Sequence, residues 1–193
     1  MAYNTTASLD KLTCTDYVDF GKSQDRFGRF SWTKNDSNYL DIKLKVFKRE
    51  DKNSEFRLRQ NLSMGETDFN QFIRQRNQLV VAADNFLREQ SLLPVLQSTL
   101  SKDMEEQLKL VHKVIDVVDR PNRRICVTLL RYKVDNPSTS YAQVRLFGRK
   151  KEEEKFQQIV YVNYKLDEFI YLLDVMNSVY DKVIANQPIC NIL

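Results

Sequence analysis

The sequence predicts an α+β fold of two tandem β-β-β-β-α units that close on each other as an intramolecular pseudo-dimer, with curved antiparallel sheets and packed helices. Three observations predict it. Apolar residues alternate with period two through four successive segments and then switch to helical spacing. That order of periods occurs twice along the 193 residues. Each unit, at about 65 residues, is short for a lone domain and exposes one apolar helix face, which a second copy in the same chain can cover.

In the first unit, SNYLDIKLKVFKR (37–49) alternates strictly. Leu40, Ile42, Leu44 and Val46 face one way, while Tyr39, Asp41, Lys43, Lys45, Phe47 and Arg49 face the other, which is the pattern of a half-buried antiparallel strand. After the polar turn EDKNS, EFRLRQNL alternates again, setting Phe56, Leu58 and Leu62 opposite Arg57, Arg59 and Asn61. RFGRFSWTK upstream is a partner strand, and TCTDYVDF a weaker one before it. Thr67 or Asp68 then caps a helix whose Phe69, Phe72, Ile73, Leu79, Val80 and Ala83 recur at helical spacing. Pro94 and the SLLPVLQST stretch interrupt it.

The second unit repeats this order in KVIDVVD, RRICVTLLRYKV, SYAQVRLFGRKK and KFQQIVYVNY. A helix follows near Asp167, with Phe169, Leu172, Leu173, Met176, Val179, Tyr180 and Val183 on one face. Tyr39-Leu40-x-Ile42-Lys43-Leu44 matches Tyr141-Ala142-x-Val144-Arg145-Leu146 at an offset of 102, and Phe69 matches Phe169 at 100, so a shorter turn and a diverged internal duplication are expected. The expected divisions are a first unit over 10–87, a helical connector over 88–110, a second unit over 111–185 and a tail over 186–193.

Composition narrows the chemistry. Gly21, Gly28, Gly65 and Gly148 are isolated, so there is no phosphate-cradling glycine loop. The single His112, in KLVHKV, speaks against zinc sites and catalytic triads built on histidine. Cys14, Cys126 and Cys190 make no C-x-x-C pair, and an odd, sparse set suggests a reducing compartment. No carboxylate cluster has metal-ligand or acid/base spacing, so the expectation is no enzyme, no metal and no cofactor. With no signal-like N-terminus and no apolar run of bilayer length, an intracellular protein without membrane contact is expected.

Net charge is only +4, but its distribution is uneven. From Lys22 to Arg59, eleven Lys or Arg stand against six Asp or Glu, and the stretch from Arg120 to Lys151 is also strongly basic. Both basic segments are strands. Lys43, Lys45, Arg49, Arg57 and Arg59 interleave with Tyr39 and Phe47, and Arg145 and Arg149 with Tyr141 and Phe147. Cations along a strand can follow phosphates, and rings between them can stack on unpaired bases. Exposed Lys and Arg also keep sheets soluble and block edge pairing, so the pattern alone supports both readings. Phe30 and Trp32 share one face of their strand beside Arg29 and Lys34, a core pattern as much as a stacking platform.

Four strands and a helix with basic and aromatic strand residues, best seen in RFGRFSWTKNDSNYLDIKLKVFKREDKNSEFRLRQNLSMGETDFNQFIRQ, resemble the single-stranded DNA-binding family of the transcriptional coactivator positive cofactor 4. The Whirly fold is a fold-level neighbour. The resemblance implies two helices packed across an internal two-fold and sheet grooves that hold single-stranded DNA. By it, Arg29, Trp32, Lys34, Lys43, Lys45, Phe47, Arg57 and Arg59 fall on groove strands, with Arg124, Tyr132, Arg145, Phe147 and Arg149 in the second copy. The chain lacks that family's serine-rich acidic N-terminal segment. The expected function is non-enzymatic binding of single-stranded DNA by a monomer, with RNA or a protein partner as alternatives and the C-terminal ANQPICNIL as a further contact.

Overall fold

Each alternating segment forms a strand. The computed structural model describes residues 14–34, 39–90, 109–132, 140–152, 154–185 and 189–190, with backbone only for 14, 15, 90, 109–111, 132, 189 and 190. In chain order the elements are β1 (Cys14–Thr15), β2 (Tyr17–Phe20), β3 (Arg26–Lys34), β4 (Leu40–Lys48), β5 (Arg57–Met64), α1 (Glu66–Gln90), β6 (Lys109–Arg120), β7 (Arg123–Tyr132), β8 (Ser140–Gly148), β9 (Gln157–Lys165), α2 (Leu166–Ser178), α3 (Tyr180–Ile184) and β10 (Ile189–Cys190). Two antiparallel meanders result, ordered β2-β3-β4-β5 and β6-β7-β8-β9, each followed by helix. Residues 91–108, most of the expected connector, lie outside the described residues.

Period two decides which face each sheet buries. Phe30 and Trp32 on β3, Leu40, Ile42, Leu44 and Val46 on β4, and Leu62 and Met64 on β5 are all buried on the helix side. Ile125, Val127, Leu129, Ala142, Val144, Val162 and Tyr164 do the same in the second sheet. Phe69, Phe72, Leu79, Ala83 and Phe86 of α1, and Phe169, Leu172, Leu173 and Met176 of α2, complete one core continuous across both units. Phe69 lies between Phe30, at 5.8 Å, and Tyr180, at 5.7 Å. Burying a phenylalanine stabilises the fold by about 1.5–3 kcal/mol, so the helix faces inferred to need partners find them within the chain.

The structure corrects the sequence reading in four places. Both long strands carry a β-bulge at the same step, Val46/Phe47 and Leu146/Phe147, so the units correspond at an offset of 100 in the strands too, and their turns are equal in length. A two-residue slip keeps every side chain on its face, which is why alternation alone also accepts 102. The bulge carries Leu58 to the outer face, opposite Phe47, and pairs Arg57 with Lys48 instead. The last helix divides at Val179. Cys14–Thr15 belongs to a separate ladder with Ile189–Cys190, so the tail supplies a strand.

Candidate nucleic-acid interface

The outer face of the first sheet, away from the helices, is built in cross-strand rows. Tyr17, Ser31, Lys43 and Ser63 form one row; Asp19, Arg29, Lys45 and Asn61 form the next; Phe27, Phe47 and Leu58 form the third. Cations therefore occupy the middle of the face, with an apolar patch beside them. The Phe27 and Phe47 rings stack at 4.7 Å, and Phe56 meets Phe27 edge-on at 5.0 Å. Leu58 is 48% exposed.

Each central cation has a different environment. Arg29 donates two hydrogen bonds to Asp19, at 2.6 and 3.0 Å, and its guanidinium lies 4.0 Å from the centre of the Tyr17 ring and 5.3 Å from that of Phe47. Lys43 pairs with Asp41 at 3.0 Å. The Lys45 ammonium makes no hydrogen bond or ion pair with another described residue. Burial, followed by repulsion from Lys43 and Arg29, holds that ammonium below its usual value, while Asp41 and Asp16 offset this in part. Three cations in adjoining rows, with two carboxylates committed to the other two, make a place where an anion would relieve repulsion.

The equivalent face of the second sheet differs in the same rows. Asp116, Cys126, Arg145 and Tyr161 replace Asp19, Arg29, Lys45 and Asn61, so one of the two cations is a thiol. Arg145 donates to Gln143 Oε1 at 2.6 and 3.1 Å, and Arg124 is held by Asp116 at 2.5 Å. Cys126, Thr128, Leu130 and Gln143 are buried. Phe147 opposes Arg124, where the first sheet sets Phe27 against Phe47. The first sheet thus has the more open and more cationic face.

Two expected site residues are structural clamps. Arg49 donates through Nε to Gln24 O and through Nη1 to Lys52 O at 2.9 Å, with its guanidinium 4.8 Å from the Phe56 ring. Arg149 repeats this with Pro121 O, Glu152 O at 2.5 Å and the Phe156 ring at 4.5 Å. Each joins the loop before the second strand of its sheet to the hairpin that follows the third. Trp32 is 1% exposed on the core side, 5.5 Å from Phe30, and no base can stack on it. Lys34 lies at the end of that same side, paired with Leu40, and Arg57 also leaves the outer face. Arg59 is the bulge residue and pairs with Glu50 at 3.2 Å. Tyr132 pairs with Lys109 in the ladder.

Lys43, Lys45, Phe47 and Arg29 are brought together. Phe27, Phe56 and Tyr17 join them, although the sequence reading does not select these three. Phe27 follows from the period of β3, since it lies two residues from Arg29; Phe56 needed the bulge, and Tyr17 needed the β2–β3 register. Among the described residues no helix is long and apolar enough to cross a membrane, and no group of three His, Cys, Asp or Glu is placed to hold a metal ion.

No family model matches the chain, and no curated protein does. Solved structures similar to it include two plant proteins. The plant transcriptional regulator PBF-2 is 11% identical with a TM-score of 0.32, over 88% of this chain and 83% of that one. WHY3 from Arabidopsis thaliana is 10% identical with a TM-score of 0.32, over 87% and 88%.

Proposed function

We propose that the protein binds single-stranded DNA, without catalysis, on the outer face of its first sheet. Phosphates lie against Lys45, Lys43 and Arg29, and unpaired bases stack on the Phe27–Phe47–Phe56 cluster. The observation that carries this reading is Lys45, a partly buried ammonium crowded by two cations and paired with no described carboxylate, one row from an exposed aromatic stack. Single strands combine these two demands, a charge-tracking row and a ring platform; duplexes keep their bases stacked inside. The chain acts as a monomer in this reading, because its second unit supplies the helix partner that a homodimer of the positive cofactor 4 type would supply from another chain.

Fluorescence anisotropy with labelled single-stranded DNA, duplex DNA and RNA across a salt titration tests it. Binding that prefers single-stranded DNA and falls with salt, with a log–log slope near −2 for three contacts at about 0.7 each, supports the proposal. Preference for RNA moves the ligand class while keeping the face. No binding to any of the three at low salt rejects a nucleic-acid function and leaves protein partners as the occupants of this face.

A further inference from the structure

Three cysteines cannot all pair, and the fold divides them into two and one. Cys126 is 5% exposed, and burial pushes its thiol above its usual value, so at neutral pH it presents no reactive thiolate. Cys14 and Cys190, at opposite ends of the described chain, meet in one ladder. β1 pairs antiparallel with β10, Cys14 directly opposite Cys190 and Thr15 opposite Ile189. Opposed residues in such a ladder have Cα atoms about 4.5–5.5 Å apart, within the roughly 4.4–6.8 Å that a disulfide spans. The ladder is only two residues long on each side, and so short a pairing has little hold of its own. Its first strand is fixed to the fold close by, where Trp32 N–H donates to Asp16 O at 3.0 Å.

We infer that Cys14 and Cys190 form an oxidation-dependent closure, a disulfide joining the first described strand to the last. The co-reactant is a small disulfide such as oxidised glutathione. One cysteine thiolate attacks it, forming a mixed disulfide and releasing one glutathione thiolate. The second cysteine thiolate then attacks the protein sulfur of that mixed disulfide and expels the other glutathione. Two protein thiols are oxidised to one disulfide, one glutathione disulfide is reduced to two thiols, and the two cysteine protons pass to solvent or to the released thiolates. Closing nearly the whole chain into one covalent ring removes much of the freedom of the unfolded state, and the effect grows with loop length.

The test equilibrates the full chain across ratios of reduced to oxidised glutathione, quenches it with acid, and reads intact mass and a non-reducing digest. The expected product is lighter by about 2 Da, the two hydrogens lost, and yields one linked peptide pair containing Cys14 and Cys190, with Cys126 unmodified. Its melting temperature rises by roughly 5–15 °C over the reduced chain. Cys14→Ser and Cys190→Ser each abolish the mass loss and the melting rise, and Cys126→Ser keeps both. Glutathione adducts on both cysteines without a link, chain-to-chain disulfides, or a link through Cys126 overturn the inference. The mass readout is made on the unaltered chain, so a serine variant that fails to fold does not blur it.

Discussion

Arg26, the first residue of β3, forms a two-pronged ion pair with Glu168, the third residue of α2, at 2.9 and 2.7 Å. Arg123, the first residue of β7, mirrors this toward Asp68, the third residue of α1, at 2.9 Å. Each arginine also donates to a carbonyl on the last strand of the other unit's sheet, Arg26 to Asn163 O at 2.7 Å and Arg123 to Ser63 O at 2.9 Å. The two units are thus held by reciprocal ties across the pseudo-two-fold, and Arg120 adds a second cation to Asp68 at 2.5 Å.

The first tie is well shielded, with the Arg26 and Glu168 side chains 12% and 11% exposed; in the mirrored one Asp68 is buried but Arg123 is 33% exposed. Removing one partner leaves a charge poorly compensated at low exposure, a change that costs about 3–5 kcal/mol where pairs are fully buried. Arg26→Ala is therefore expected to lose about 2–4 kcal/mol in urea unfolding, slightly below that range because the pair is not fully dry. A loss under about 0.5 kcal/mol, the size of an ordinary surface change, would deny the tie its role in holding the units together.

The two faces should behave differently toward a ligand. Phe47→Ala is expected to weaken single-strand binding by about 1–3 kcal/mol, the worth of one stacked base, or roughly five- to 150-fold. Phe147→Ala, in the less open and less cationic second face, should leave affinity unchanged. Anisotropy on both variants decides it, and equal losses would mean that both sheets bind.

Arg49 and Arg149 serve the hairpins. Arg49→Ala is expected to lower stability by about 1–3 kcal/mol through its charged donors to two carbonyls, while leaving the salt slope of binding as it was. Lys43→Ala with Lys45→Ala should do the opposite, flattening the slope by about 1.4 with little change in urea unfolding. A flatter slope in Arg49→Ala would return that residue to the ligand.

Lys45 is expected to make the proposed binding pH-dependent. Its folded value is lowered from 10.5 by burial and by the neighbouring charges of Lys43 and Arg29. Between the folded value and 10.5 the unfolded chain keeps the proton and the folded chain releases it, so the free protein gains stability with rising pH across that window. A bound phosphate favours the ammonium again, so binding takes up a proton there and affinity falls as pH rises. Titrations in steps from neutral pH up to 10.5 should show this fall in the parent, and a flatter profile in Lys45→Arg, which stays charged throughout. Identical profiles would remove Lys45 from the site.

Trp32 is the chain's single tryptophan and is buried. Its emission is expected to be blue-shifted, to move red on unfolding, and to stay nearly unquenched when an oligonucleotide binds. Strong quenching at saturation would place a base against it, contrary to its position in the core.

Much of this was legible in the residues. Alternation from Leu40 to Val46 and from Ala142 to Leu146, and helical spacing from Phe69 to Ala83, determined the strands, the helices and their repetition, because each period answers to one local geometry that buries one face. The cations at Lys43 and Lys45 and the ring of Phe47 could be assigned to the outer face for the same reason. The rest depends on which strands lie side by side. A bulge at Val46/Phe47 turns Leu58 and Arg57 over, the β2–β3 register brings Tyr17 under Arg29, and the core closes over Trp32. In the sequence Lys45 and Arg49 look alike as exposed cations on one face of a strand. In the fold, Arg49 is taken up by the Gln24 and Lys52 carbonyls while Lys45 is left beside Lys43 and Arg29. Period two tells which side a residue faces, but only cross-strand pairing tells which partner meets it there, and that pairing is a property of the assembled sheets.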